Sequence, residues 1–356
     1  MSLSQLDIVQ FRNLGQVSLR PDPGINLIIG DNAAGKTSLL ESIFYLSYGR
    51  SFRSSQTRDL IQYGQPFFRL VSRLESGSVL GIEKSLKEQT IRLNQQNLQR
   101  MSQLAELLPV IALHPDSHQL ISAGPEYRRQ FLDWGVFHVE HSFIRIWKDY
   151  RKALAQRNAA LRHQEPDRIC QLWDQPLVQN ALLIDQFRIA YLDHLNQVLK
   201  EYAAILFPDH VISLDYRRGW SDAEDYSAHL QQTLGRDKEK GYTQGGPHRA
   251  DIRIKLDDKP AQTAASRGQQ KKLVALFKLA QLALFNQASS KTCILLYDDL
   301  PAELDADNRA LLMQLLSQMK VQLFITAIET DQLDLSAFPQ PAMFHVEQGR
   351  ITALSR

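Results

Sequence analysis

The chain of 356 residues holds only two cysteines, Cys170 and Cys293. Two are too few for a cysteine metal cluster or a disulfide framework. Cys293 opens the apolar run from Cys293 to Tyr297, where a reduced core thiol is the plain expectation. Excess charge of one sign is also lacking. Lys and Arg number 41 against 39 Asp and Glu, a formal net charge of +2. A nucleic-acid partner must therefore be met by a local basic face, not by overall charge. No stretch approaches the roughly 18 apolar residues that a membrane-spanning helix needs. The opening MSLSQLDIVQFRNLG has no basic region followed by an apolar block, so it does not read as a signal peptide. A cytoplasmic location without membrane contact is the default expectation. Internal repeats, low-complexity tracts and sustained heptads are missing as well, and the last of these excludes a long coiled coil.

What remains is an ordinary globular composition, 44% hydrophobic and 22% charged, long enough for two structural units. The pattern along the chain changes twice. Strand-like runs at Ser4 to Gln10, Ile25 to Ile29, Phe67 to Leu74, Val79 to Leu86, Thr90 to Asn94 and Val110 to His114 surround one helical stretch, Lys36 to Leu46. From about Pro125 to Phe207 the pattern is helical, with Gly135 its one glycine. There Ile184, Phe187, Tyr191, Leu195, Val198, Tyr202 and Ile205 recur at spacings of three and four, which describes one apolar helix face. Strand signals return at Val211 to Tyr216, Asp251 to Leu256, Thr292 to Tyr297, Gln322 to Thr326 and Met343 to Glu347, and Gly349 turns into a last short strand. The expected organisation is an α/β head made from residues 1–115 and 209–356, interrupted by a helical arm at residues 116–208.

Three motifs give the head its chemistry. Gly30-Asp31-Asn32-Ala33-Ala34-Gly35-Lys36-Thr37 fits G-x-x-x-x-G-K-[ST], after an apolar run and before a helical one. Its glycines let backbone N–H groups turn toward phosphate oxygens, and the helix N-terminus adds partial positive charge. Lys36 would reach the β- and γ-phosphates, and Thr37 would hold Mg²⁺. Cys293 to Tyr297 followed by Asp298 and Asp299 has the form of a Walker B strand, with Asp298 serving Mg²⁺ through water and Asp299 polarising the attacking water. Acids after core strands are common, so the order of the motifs carries weight. Ser266-Arg267-Gly268-Gln269-Gln270 precedes an apolar-faced helix; alone it reads as a capped amphipathic helix, with Ser266 as N-cap. Behind a phosphate loop and ahead of a Walker B strand it looks like an ABC signature motif, which faces the γ-phosphate held by a second subunit.

These motifs lie among others: Val9-Gln10-Phe11-Arg12-Asn13, Gly124-Pro-Glu-Tyr-Arg128-Arg129-Gln-Phe-Leu-Asp133, Gly246-Pro247-His248-Arg249 and Asp298-Asp299-Leu-Pro-Ala-Glu303-Leu-Asp305. Their order over nearly the whole chain resembles the RecF recombination-repair family. The resemblance implies a P-loop ABC-type ATPase head with a mixed sheet and an inserted helical arm in place of a long coiled coil. It further implies ATP and Mg²⁺ as cofactors, ATP-dependent homodimers on DNA at duplex, single-strand and gap structures, slow hydrolysis that serves release, and RecA loading with RecR and RecO. Carried onto this chain, Gly30 to Thr37 bind phosphates, and Arg12 and Asn13 contact nucleotide. Ser266, Gly268 and Gln269 act in trans, and Asp305 falls in the dimer-interface loop. Asp299 stands where the wider superfamily carries glutamate, and Thr326 where many relatives have a histidine, which argues against fast turnover. Gln56 and Gln62 both remain open as the glutamine loop.

Arg145, Lys148, Arg151, Lys152, Arg157 and Arg162 lie within 18 residues containing one acid, Asp149. Such side chains reach phosphates without reading sequence, although a charge cluster is often only a solvated helix face. Arg50, Arg53 and Arg58 form a second basic cluster, and Lys271 with Lys272 a third. No sequence-reading motif is present. His114 and His118 stand four apart, but Pro115 and Asp116 between them argue against a shared helix face; His138 and His141 read as packing or surface residues, and His248 receives no role. A transporter ATPase accounts for the nucleotide motifs but not the inserted helices, a metabolic P-loop kinase has no need of Ser266 to Gln269, and a nuclease lacks a further acidic cluster.

Overall fold

The computed structural model describes residues 2–98, 100–221, 225–338 and 341–354. The chain divides into two compact units, Met1–Ser117 with Lys271–Arg356, and His118–Gln270.

Among the described residues, the first unit contains two six-stranded sheets. One is antiparallel and runs, in spatial order, Leu14–Leu19, Leu3–Phe11, Phe67–Leu74, Val79–Ser85, Gln89–Leu93 and Gln96–Asn97. Its strands alternate, as in Phe67–Leu74, where Phe68, Leu70, Ser72 and Leu74 are buried, so one face meets the core. The other runs Arg350–Ala353, Ala342–Glu347, Ile25–Ile29, Val321–Ala327, Cys293–Tyr297 and Val110–Leu113. All of its pairings are parallel except that of the Arg350–Ala353 edge. The sheet is therefore mixed, as expected. Every residue of Cys293–Tyr297 and Val321–Ala327 is buried, because a parallel sheet is covered on both faces. The runs without alternation in the sequence are these strands. Leu14–Leu19 goes unread in the sequence because Gly15 and Gln16 interrupt its short pattern.

The second unit is helical around a small sheet. Its helices include Pro125–Val139, Phe143–Arg162, Tyr226–Lys240 and the 33-residue Asp174–Leu206. Gly135 is required where two of them meet: a Cβ there would stand 2.1 Å from the Tyr191 ring. The apolar face of Asp174–Leu206 begins as read, with Ile184, Tyr191, Leu195 and Val198 buried, but Ile205 is 45% exposed. The sequence stripe averages close to 3.5 residues per turn, and on a 3.6-residue helix it rotates off the buried side. Ala203 and Leu206 complete the face instead.

The arm does not end at residue 208. Ile212–Arg217 pairs antiparallel with Asp251–Leu256, and this strand pair belongs to the second unit, which extends to Gln270. Side chains from the helices explain the shift. The Asn196 amide donates to Leu214 O at 3.1 Å and accepts from Leu214 N at 3.2 Å, substituting for a strand partner. Arg128 pairs with Asp251 at 2.7 Å, and Arg129 donates to Ala250 O at 2.9 Å. The head boundary at residue 115 lies close to the observed division after Ser117. None of the described helices is long and apolar enough to cross a membrane.

His248 has a structural place. Its Nδ1 accepts from Tyr150 Oη at 2.7 Å and its Nε2 faces Thr243 O at 3.1 Å, so Nε2 carries the proton of a neutral ring. Burial pushes its pKa down to about 4, reinforced by the charges of Arg249 and Arg129. A depressed folded-state pKa means that the contribution of His248 is complete above its ordinary value near 6.5 and lost as pH falls toward 4. His248→Asn is expected to flatten the fall in Tm between those pH values relative to the unaltered chain. Parallel Tm-against-pH curves for the two would overturn the assignment.

Candidate nucleotide site

The carboxyl ends of Ile25–Ile29, Cys293–Tyr297 and Val321–Ala327 lie side by side, the edge where ligands of open α/β sheets bind. From the first strand the chain enters Gly30–Thr37 and then the Lys36–Tyr48 helix. Gly30 has φ 149°, and a Cβ there would stand 2.2 Å from Val346 O. Gly35, with φ 126°, is the N-cap of the helix. Asp31, Asn32 and Ala33 form the exposed tip. Asn13 clamps the loop: its Nδ2 donates to Ala34 O at 3.1 Å and its Oδ1 accepts from Ser38 Oγ at 2.8 Å. From the other side Gly349 N donates to Ala34 O at 2.8 Å.

Lys36 Nζ donates to Gly30 O at 2.5 Å and Asp31 O at 3.0 Å. Burial lowers its pKa against the opposing pull of Asp299, Asp298 and Asp31. Thr37 Oγ1 lies 3.0 and 2.9 Å from the two oxygens of Asp298, so phosphate loop and Walker B strand meet directly. Thr326 is the third member of the cluster. Its hydroxyl donates to Asp298 Oδ1 at 2.9 Å and accepts from Asp299 N at 2.7 Å, so one side chain holds both acids. Burial raises the Asp298 pKa, while the two threonine hydroxyls pull it down. A hydroxyl and a carboxylate side by side are hard oxygen donors, and with phosphate oxygens and water they fit Mg²⁺. Asp299 takes the left-handed conformation at φ 56°, a strain typical of functional positions and one that Asp tolerates.

A cleft of about 1530 Å³ contains this cluster, lined by Arg12, Asn13, Asp31, Asn32, Ala33, Gly35, Lys36, Thr37, Asp298, Asp299 and Thr326. Gln62 lines it as well; Gln56 does not. Three expected residues stand elsewhere, in the second unit. Ser266 and Gln269 form a reciprocal capping box, with Ser266 N donating to Gln269 Oε1 at 2.9 Å and Gln269 N to Ser266 Oγ at 3.2 Å. Between them Gly268 is open: a Cβ there would meet nothing within 4 Å. Asp305 caps the helix Ala306–Ser317 by accepting from Asn308 N at 2.9 Å, a bond that lowers its pKa.

The basic clusters separate. Arg145, Lys148, Arg151 and Lys152 are exposed on Phe143–Arg162 and form no ion pair among the described residues. Arg157 does not join them. It is fully buried, paired with Asp174 at 2.8 Å and Asp237 at 2.7 Å, with Thr243 Oγ1 at 2.8 Å. Lys271 pairs with Glu303 at 3.2 Å. Arg53 and Arg58 line the cleft, while Arg50 lies over the Tyr48 ring.

Glu41 escapes the sequence reading because nothing marks a glutamate inside a helix. It is fully buried and takes the Arg12 guanidinium in two bonds of 2.9 and 2.7 Å. It also accepts from Ser51 Oγ, and Arg53 approaches to 3.8 Å. Ser51 Oγ in turn accepts from Arg53 N and Ser54 N, and Arg12 Nη1 donates to Asp59 O at 2.8 Å. Arg12 therefore braces the 51–59 segment along the cleft. Glu41→Gln breaks the charge pairing and should raise amide exchange at Arg53, Ser54 and Leu60 by roughly tenfold or more. Exchange within Phe67–Leu74 serves as the control; unchanged rates throughout would show that Glu41 does not organise the segment.

Comparison with known proteins agrees with this geometry. The RecF/RecN/SMC N terminal domain family matches residues 2–352. The DNA replication and repair protein RecF of Shewanella loihica is 41% identical over 359 residues, covering 99% of this chain and 100% of its own. That of Pseudomonas fluorescens is 43% identical over 360 residues, covering 99% and 98%. Among solved structures, the recombination mediator protein RecF-ATP superposes with a TM-score of 0.88 at 24% identity, covering 99% of this chain and 97% of that one. An Smc head domain with an extended coiled coil from Pyrococcus furiosus gives 0.61 at 15% identity, covering 99% and 96%. An α/β head of the Smc type, an arm without a long coiled coil, and this full-length likeness together show that the chain belongs to the RecF family of DNA replication and repair proteins.

Proposed function

We propose that the chain is an ATP-dependent DNA-binding protein of recombinational gap repair and replication maintenance. ATP joins two copies head to head on DNA at single-strand/double-strand junctions, and slow hydrolysis releases them, helping RecA loading with RecO and RecR. The observation that carries this reading is the cluster of Thr37, Asp298, Asp299 and Thr326 beside the Gly30–Thr37 loop. Two solved relatives support it, one described as RecF-ATP and both as belonging to the RecFOR pathway. Family membership sets aside the transporter and kinase alternatives, and no nuclease activity is proposed.

In this reading the Gly30–Thr37 backbone and Lys36 bind the β- and γ-phosphates, and Thr37 with Asp298 hold Mg²⁺, which neutralises phosphate charge. Asp299 accepts a proton from the attacking water. An aspartate reaches less far than a glutamate, which suits slow turnover. Ser266, Gly268 and Gln269 bind the γ-phosphate held by the second copy, and the open space at Gly268 is what close approach of a phosphate requires. Arg145, Lys148, Arg151 and Lys152 contact DNA phosphates without sequence readout.

The test is anisotropy of a labelled gapped duplex titrated with protein in ATP, in ADP and without nucleotide. Tighter binding in ATP alone is expected; equal binding in all three sinks the ATP-dependent association with DNA. Lys36→Met should lose nucleotide-dependent dimerisation. Asp299→Asn, which still tolerates φ 56°, should dimerise but stall release. Normal ATP turnover by Asp299→Asn would remove Asp299 from the chemistry. Gly268→Ala replaces glycine in the first turn of a helix, where alanine is favoured by up to about 1 kcal/mol, so Tm should hold or rise. Dimerisation in ATP should nevertheless fall, as measured by light scattering. Intact dimerisation would place the partner's phosphate elsewhere.

A further inference from the structure

The loop from Thr243 to Asp251 is fastened at almost every residue by other parts of the second unit. Thr243 N donates to Asn158 Oδ1 at 2.8 Å, and Gln244 N to Asp237 Oδ1 at 3.1 Å. Gly245 O accepts from Tyr226 Oη at 2.9 Å, and Pro247 O from Arg188 Nη1 at 2.8 Å. Gly246 N donates to Gly219 O at 3.0 Å, while His248 bonds to Tyr150 and Thr243. Ala250 O accepts from Arg129 Nη1 at 2.9 Å, and Asp251 pairs with Arg128 at 2.7 Å. The side chain of Arg249 is the exception. It is exposed and forms no ion pair among the described residues.

This guanidinium is nevertheless held in place. It lies over the exposed Tyr242 ring, 5.2 Å from its centre, and Arg249 N closes a turn onto Gly246 O at 2.8 Å. The backbone behind it cannot retreat, since a Cβ on Gly219 would stand 2.9 Å from Arg249 C. The local charge is positive. Arg129 is half-buried and also forms no ion pair among the described residues. Of the acids near it, Asp251 and Asp133 are taken by Arg128 and Arg188 at 2.7 and 2.8 Å, and Glu126 is exposed in the first turn of its helix. Both Arg129 and Arg249 act on the His248 ring and help to keep it neutral.

A fixed, exposed guanidinium on an aromatic face suits an oxyanion, which its planar fork can grip through two N–H groups. The helix Phe143–Arg162 supplies Tyr150 and Asn158 to this loop. It also carries the exposed Arg145, Lys148, Arg151 and Lys152, so the matching ligand is a polyanion and not a lone carboxylate.

We propose that Arg249, held on Tyr242, is a fixed anchor for one backbone phosphate of bound DNA. The assignment rests on reading the chain as a DNA-binding protein. It adds a contact that sets where the strand lies, beside helix cations that attract it. Fork geometry as well as charge is used, so lysine replaces Arg249 only in part.

The test is anisotropy of a labelled gapped duplex with the full chain in ATP and Mg²⁺, repeated from about 50 to 200 mM salt. Arg249→Ala should weaken binding roughly fivefold at about 0.15 M salt and reduce the slope of log affinity against log salt by about one. Arg249→Lys should keep the slope and recover part of the affinity. Tm and ATP-dependent dimerisation should hold in both, because the loop is fastened by its backbone and its other side chains. If Arg249→Ala loses Tm, Arg249→Gln, which keeps a stem on Tyr242, carries the same test. Unchanged affinity and slope overturn the anchor while leaving DNA binding standing, the result expected if Arg249 serves an acidic peptide instead. A loss of affinity with the slope unchanged overturns it too, since no phosphate contact has then been removed. An unaltered protein that binds no DNA overturns the DNA-binding reading itself, and the anchor with it.

Discussion

The carbonyl of Val346 stands 2.2 Å from where a side chain at residue 30 would begin, and the site depends on that close approach. It forces glycine at the end of Ile25–Ile29 and brings a strand from the last part of the chain against the phosphate loop. The loop is then held by residues remote in sequence, Asn13 before it and Gly349 after it. The Ala34 carbonyl is engaged from outside the loop, whereas Gly30 O and Asp31 O are taken by Lys36 and Asp31 O also by Ala34 N, within the loop itself.

The same economy holds across the sheet edge. Thr326 ends the neighbouring strand, and its hydroxyl donates to one acid and accepts from the backbone of the next. A histidine there could not make both bonds through a single atom. Arg12 works at one remove, through Glu41, Ser51 and the backbone of Asp59. Itself a lining residue of the cleft, it also holds the segment bearing Arg53 and Arg58.

The sequence shows the strands of the parallel sheet because burial on both faces leaves unbroken apolar runs, and it shows the phosphate loop because the backbone there tolerates few residues. What it hides is set by pairing over long separations. Arg157 reads as part of a basic face until Asp174 and Asp237 close on it in the interior. The edge of the arm reads as residue 208 because a strand signal looks like a return to the head, and the bonds of Asn196 to Leu214, Arg128 to Asp251 and Arg129 to Ala250 show otherwise. Ser266 to Gln269 is a capping box by its contacts, and its letters alone cannot separate a cap from a signature.

The split of the first unit has a consequence for synthesis. Ile25–Ile29 leaves the ribosome early, but its neighbour Val321–Ala327 and the adjoining Cys293–Tyr297 follow only after the whole of His118–Gln270. At about 5–20 residues per second, an apolar strand meant for burial on both faces waits on the order of ten seconds or more without its partners. The second unit, contiguous in sequence, has no such wait. The parallel sheet of the head is thus the last part of the protein able to fold, and an unfinished chain exposes its most apolar strands.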